Sequence, residues 1–332
     1  MRYLPAVLRA SGLAGALALA FASNAVAETN LRIASIFANG HSSTLAMEKF
    51  AEEIKRVSNG NVSADIFAAA QLGGASENVD QVVSGAIFGT WLGAAYLSRT
   101  VPELEAISLP FLGANREAAF KLVDGKIGDL LAEKLAAKGF TVLGYMELGA
   151  RQVTNNVRPI TKLEDFKGLK IRLQPNETHL ATFRALGANP VAMGWTEVFP
   201  ALQQGVLDGQ ENPYGIMEVN NIEEVTKYLS NSEHFFDLIV LVASKARFDA
   251  LTAEEQASVK EAAAVAVAWQ RSKAQAEDDA AKQALIAAGM QYDPIPDAER
   301  QRMIDATQSV VVDLRKRIGD EIIDAVVSEV AR

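Results

Sequence analysis

Between Thr252 and Gly289 the chain runs for about 37 residues without a proline or an internal glycine, and this run constrains the architecture more than any other. Thr252-Ala253-Glu254-Glu255 opens it as a capping box, in which the threonine hydroxyl and the glutamate carboxylate satisfy each other's free backbone N–H groups. The Ala-rich pattern beyond predicts one continuous helix. At ~1.5 Å per residue it reaches about 55 Å, longer than a single domain is wide. The helix is therefore expected to lie along two domains, which 332 residues suffice to build.

The rest of the chain supplies those domains. Leu31–Phe37 reads as a strand, and a helix capped by Ser42 or Ser43 follows, with Met47, Phe50, Ile54 and Val57 on one face and Asn59-Gly60 at its end. A strand over Val62–Phe67, a helix bearing Val79, Val82 and Val83 and stopped at Gly85, and a strand through Ile87 and Phe88 come next. A helix over 116–138 and a strand over Phe140–Leu148 continue this βαβ pattern, which predicts an α/β fold with a mostly parallel sheet ending near Gly149. A second set follows from Arg151: strands to Asn155, at Leu169–Gln174 and at Val191, with helices over Glu177–Leu186 and Glu197–Gln204, the latter bent at Pro200. Leu238–Ser244 is continuously apolar, as in a strand buried on both faces, and is expected to rejoin the first sheet. After Asp293–Pro296 a single last helix carries Met303, Ile304, Val310, Val311, Leu314 and Ile318. There is no tandem repeat and no low-complexity linker. The expected shape is two α/β lobes joined by several crossings, with a cleft between them and a long helix spanning both.

Residues 1–27 read as a secretory signal: Arg2 and Arg9, an apolar run from Ser11 to Ala22, and Ala25-Val26-Ala27 as a cleavage site near Ala27. Without Arg2 and Arg9 the balance is 30 basic to 41 acidic residues, a net charge of −11. That balance argues against nucleic acid or an anionic membrane as partner, since both need a positive face. With no cysteine there is neither a disulfide nor a thiolate metal site. An exported chain of this size held by its core alone suits a bacterial periplasm.

Motifs for catalysis are missing. G-x-S-x-G, H-E-x-x-H, the P-loop and G-x-G-x-x-G after a strand are absent. His41, His179 and His234 each lack a second histidine at ligand spacing, and acidic pairs such as Glu223-Glu224 fit solvated helix faces, so no metal, cofactor or acid/base dyad is indicated.

In LKIRLQ the apolar residues Leu169, Ile171 and Leu173 alternate with Lys170, Arg172 and Gln174, which puts Arg172 on the less apolar face. By itself such an arginine is more often a solvated or salt-bridged strand residue. Arg151 on a neighbouring strand-like segment, and Asn212 after the Gly-containing turn Asp208-Gly209-Gln210-Glu211, give it company. A guanidinium is a planar fork of donors that matches a carboxylate; a second could share the anionic head, and an amide could donate to it or read a hydroxyl beside it. Trp195, ahead of the helix at Glu197, fits a core residue and an indole stacked on a small acid or sugar ring equally well.

The segments QLGG (Gln71–Gly74), GARQVTNN (Gly149–Asn156), LEDFKGLKIRLQ (Leu163–Gln174) and MGWTEVFPALQQGVLDGQENP (Met193–Pro213) closely resemble the extracytoplasmic solute-binding proteins of tripartite ATP-independent periplasmic (TRAP) transporters. The resemblance covers essentially the whole chain after the signal. It implies the two-lobed periplasmic solute-receptor fold, with 28–149 and 238–277 in the first lobe and 150–237 and 278–332 in the second. It implies Arg172 as the two-pronged contact to a substrate carboxylate, with Arg151, Asn212 and Trp195 beside it. Phe37, Trp91 and Tyr214 are further candidates for pocket walls. The sequence departs from the sialic-acid-binding members by having Trp195 in place of phenylalanine and no acidic residue in Ile87–Ala95.

These readings imply a periplasmic receptor for a small organic or sugar acid, with the small and large TRAP membrane subunits as partners and no cofactor. Trp195 and Asn212 suggest a hydroxylated acid such as a uronate or aldonate; a C4-dicarboxylate and a hydrophobic 2-oxo acid stand as alternatives. A ligand-presenting partner of a membrane sensor and an exported hydrolase are the competing functions.

Overall fold

The computed structural model describes residues 29–111 and 116–330. The expected signal segment and its cleavage site lie outside the described residues. Four strands precede residue 151: β1 (Thr29–Ser35), β2 (Val62–Phe67), β3 (Gly89–Gly93) and β4 (Phe140–Ala150). Seven follow: β5 (Gln152–Asn155), β6 (Lys170–Leu173), β7 (Asn189–Ala192), β8 (Gly209–Asn212), β9 (Tyr228–Ser230), β10 (Phe236–Ser244) and β11 (Gln291–Asp293). They form two sheets, ordered β2-β1-β3-β10-β4 and β11-β9-β5-β8-β6-β7, each the centre of one lobe.

The first sheet is mixed rather than mostly parallel. β1 pairs in parallel with β2 and β3, whereas β10 is antiparallel to both β3 and β4. The reason lies in how β10 arrives: it returns from the second sheet beside the outgoing strand and not through a helical crossover. β4 and β5 are separated by Arg151 alone, and β9 leads to β10 across residues 231–235, so the two crossings run side by side. Pairs Phe236↔Ala150 and Val153↔Ser230 flank them, and the Arg151 N–H donates to the Phe235 carbonyl at 2.9 Å. Every residue of β10 is buried. Leu238, Val240 and Val242 join one apolar core, and Ile239, Leu241 and Ala243 join the other, as a strand covered on both faces requires.

Three sequence expectations shift locally. The helix over 116–138 is two, Arg116–Val123 and Lys126–Ala136, because Gly125 is extended and Gly128 packs so tightly that a Cβ there would lie 1.9 Å from the Val123 carbonyl oxygen. The last helix is three, Asp297–Ala306, Gln308–Ile318 and Asp320–Val330. Thr307 closes the first of them through its hydroxyl on the Met303 and Ile304 carbonyls, and Gly319 at φ 92° turns the chain before the third. That turn sends Ile322, Ile323 and Val326 into the core that holds Leu104 and Leu131. The helix Ser42–Val57 is capped by His41, whose ring accepts from the Ser43 N–H, and not by a serine.

The long helix spans Ala253–Ala287, 35 residues, and opens with the capping box between Thr252 and Glu255. Val259, Ala262, Ala263 and Ala266 lie in a first-lobe core, and Ala281 and Leu285 lie with Leu202 and Leu229 of the second. Two adjacent carboxylates mark its C-terminal half. Glu277 accepts from the Ser42 N–H at 2.8 Å, at the start of the helix Ser42–Val57, and Asp278 accepts from the Gly215 N–H at 3.0 Å, at the start of the helix Tyr214–Val219. Each meets a helix N-terminus, where free N–H groups favour negative charge.

Burial pushes the Asp278 carboxyl up to about 7, against the Gly215 N–H and with Glu147, Asp279 and Glu277 adding to the rise. Its folded value lies above the ordinary 3.8, so the linked stability is complete below that pH and is lost as pH rises through 7. Asp278→Asn keeps an oxygen for the Gly215 N–H and carries no charge. It is expected to raise Tm in calorimetric melts above pH 7 and to leave Tm nearly unchanged below pH 3.8.

Candidate ligand-binding site

A narrow cavity lies between the lobes. The first lobe contributes Ile36 and Phe37 after β1, Gly93 at the end of β3, Tyr96 just beyond it, and Leu148 from β4. The second contributes Arg172 and Gln174 from the end of β6, Trp195, and Asn212 from the end of β8. Ile216 and Asn220 complete the wall. Apolar side chains dominate on the first-lobe side, where Phe37 stacks on His41 with ring centroids 5.2 Å apart.

Alternation along β6 places Arg172. Leu169, Ile171 and Leu173 enter the second-lobe core, so Arg172 and Gln174 face the other way. That face is nonetheless closed to water: Arg172 is 1% exposed. Its Nε donates to the Met193 carbonyl at 2.9 Å, its Nη2 to the Tyr96 hydroxyl of the opposite lobe at 2.9 Å, and its guanidinium carbon lies 5.5 Å from the Trp195 ring centroid. Among the described residues no carboxylate forms an ion pair with it, and none accepts a hydrogen bond from Nη1. An unpaired buried cation is costly, and an anion brought to Nη1 removes that cost.

Arg151 is placed differently. It is fully buried at the strand crossing and does not line the cavity. Its guanidinium pairs with Glu211 through Nε and through Nη2 at 2.8 Å, with Asp237 through Nη1 at 3.0 Å, and with the Asn212 Oδ1 through Nη2 at 2.9 Å. Burial alone would raise the Glu211 carboxyl, but the Arg151 charge and hydrogen bonds from His234 and Arg151 hold it down at about 2. Burial prevails at Asp237 and pushes its carboxyl up despite Arg151. Burial also lowers His234, which sits between Ser232 at 2.7 Å and Glu211 at 3.0 Å. Ser232 donates to Nδ1 and Nε2 donates to the carboxylate, as a neutral ring allows.

Of the residues singled out from sequence, the fold brings Arg172, Asn212, Trp195 and Phe37 to one cavity. Trp91 and Tyr214 do not reach it. Trp91 packs edge-on to Phe50 at 5.7 Å beneath the helix Ser42–Val57, and Tyr214 lies in the second-lobe core with Met217 and Leu229. Gly209 is in strand β8 and not in a turn; its lack of a side chain serves strand packing, since a Cβ would lie 2.1 Å from the Thr154 carbonyl oxygen. Pro200 falls in the first turn of the short helix Val198–Gln203, where proline is tolerated. Sequence reasoning passes over Tyr96 and Gln174. Gln174 shares the alternation of Arg172 and is legible from it, whereas nothing local marks Tyr96, which reaches the site from the other lobe.

A sequence profile described as "Bacterial extracellular solute-binding protein, family 7" matches residues 33–317. The chain belongs to this family. It is 33% identical over 298 residues, 89% of each chain, to the 2,3-diketo-L-gulonate-binding periplasmic protein YiaO of Escherichia coli K12. It is 31% identical over 283 residues, 84% of each chain, to the C4-dicarboxylate-binding periplasmic protein DctP of Rhodobacter capsulatus. Among solved structures, the sugar acid binding protein of Advenella mimigardefordensis in complex with galactonate superposes with a TM-score of 0.89 at 31% identity, covering 92% of this chain and 98% of that one. Family and fold are thus those of two-lobed solute receptors. Among the described residues no helix is long and apolar enough to cross a membrane.

The Glu211 carboxyl, at about 2 when folded against an ordinary 4.5, contributes stability that is complete above pH 4.5 and lost as pH falls through 2. Glu211→Gln is expected to cost about 3 kcal/mol at neutral pH, because it leaves Arg151 undercompensated. Denaturant titrations should show the loss, with a flatter acid limb between pH 4.5 and 2.

Proposed function

We propose that this protein is a periplasmic receptor that captures a small hydroxylated carboxylate between its lobes and delivers it to the membrane subunits of a TRAP transporter. The observation that carries this reading is Arg172: buried, held by Met193 and Tyr96, and facing a cavity without a carboxylate partner among the described residues. Arg172 binds the ligand carboxylate, and Trp195 and Phe37 cover the apolar faces of its carbon skeleton. Asn212 supplies an amide to a ligand oxygen. Arg151 acts behind it and does not share the anionic head.

The relatives support a sugar acid. The Advenella mimigardefordensis structure holds galactonate, and one from Roseobacter denitrificans, 29% identical with a TM-score of 0.86, holds β-D-glucuronate. A C4-dicarboxylate is the second reading, supported by the Rhodobacter capsulatus relative. The protein performs no chemistry on its ligand in this reading. Closure follows because an anion that satisfies Arg172 binds the closed arrangement, in which Tyr96 touches Arg172, more tightly than an open one.

Arg172→Ala is expected to abolish measurable binding in calorimetry while the protein stays folded. Near-native affinity in that variant would overturn the assignment. In a thermal-shift screen of organic and sugar acids, a true ligand at about 100 times its Kd should stabilise the protein by ~2.7 kcal/mol.

A further inference from the structure

Gln174 is 4% exposed, lines the cavity, and its Oε1 has no hydrogen-bond partner among the described residues. The orientation of its amide is set from behind. The Gln174 Nε2 lies on the Asp237 side of the residue, since that nitrogen and the Asp237 Oδ2 both come within 4 Å of the place a Cβ on Gly93 would take, and Asp237 is itself fixed by the Leu238 N–H on Oδ1 at 2.9 Å and by Arg151 on Oδ2 at 3.0 Å. A carboxylate only accepts, so Gln174 must turn its Nε2 toward Asp237 and its oxygen toward the cavity. Asn212 is fixed in the opposite sense. Arginine only donates, so the Asn212 Oδ1 faces Arg151 at 2.9 Å, and its Nδ2 gives one hydrogen to the Gln210 Oε1 at 2.6 Å and keeps one more.

We propose that Gln174 is a specificity-determining residue that accepts a hydrogen bond from a ligand hydroxyl, and that Arg151 is the positioning residue that sets the polarity of both amides. This rests on the reading of the cavity as a carboxylate site. The wall then offers donors at Arg172 and Asn212 and an acceptor at Gln174. A carboxylate bound to Arg172 satisfies the donors but has no proton for Gln174. A hydroxyl has one. Acids that place a hydroxyl there are selected over hydroxyl-free dicarboxylates, which set oxygen against oxygen and leave a buried acceptor unpaired.

Calorimetry on the mature protein with D-galactonate, its monodeoxy analogues, D-glucuronate and succinate tests this. One deoxy position should weaken binding to the wild type by about ten- to a hundredfold. In Gln174→Leu the same deletion should cost no more than a few-fold. Asp237→Asn, which lets the Gln174 amide take either orientation, should shrink the discrimination at that position, whereas a merely structural role would weaken all ligands alike. Thermal melts of the ligand-free variants confirm folding. If each deoxy analogue suffers the same penalty in Gln174→Leu as in the wild type, the inference is wrong. If the wild type prefers succinate to both sugar acids, the inference falls and the carboxylate site stands. If Arg172→Ala binds these acids like the wild type, the carboxylate site itself falls and the inference with it.

Discussion

A guanidinium removed from water has to find compensating charge, and at Arg151 that requirement ties the molecule together. Glu211 stands in β8 of the second sheet and Asp237 in β10 of the first, so one buried cation joins carboxylates from both lobes where the chain passes between them. Desolvation offsets much of what such a cluster contributes to net stability, so its effect lies more in geometry. It fixes where β5, β8 and β10 meet, and through Asn212 it reaches the cavity wall without touching the cavity.

Arg172 is the same residue type at nearly the same burial with the opposite consequence. Its neighbours are a carbonyl, a hydroxyl and an indole, none of which neutralises it. The surrounding interlobe contacts are neutral or already paired: Asn176 donates to the Ser98 Oγ at 3.1 Å, and Glu105 accepts from Thr178 and Arg317. The strongest unmet electrostatic demand in the cleft is therefore at Arg172. In the proposed function, an anion that meets this demand couples binding to closure.

Long-range order is legible wherever one local pattern dominates. The capping box and the proline-free run locate the strap helix, the apolar run locates β10 as a doubly covered strand, and alternation in LKIRLQ puts Arg172 and Gln174 on one face. Helix breaks are less legible. Gly125, Thr307 and Gly319 interrupt apolar periodicities that continue through them, because each break is decided by what the next segment packs against. The direction of β10 is likewise invisible, since hydrophobicity reports burial and not strand polarity.

By itself the sequence determined that there are two α/β lobes with a long helix across them, and which strand ends carry a guanidinium, an amide and an indole. Tertiary structure alone decided the roles. Two arginines that look alike in sequence differ because Glu211 and Asp237 converge on one of them from separate strands, while Arg172 meets Tyr96 from the other lobe. Charge compensation depends on distances between segments far apart in the chain, and those distances exist only once both sheets have formed.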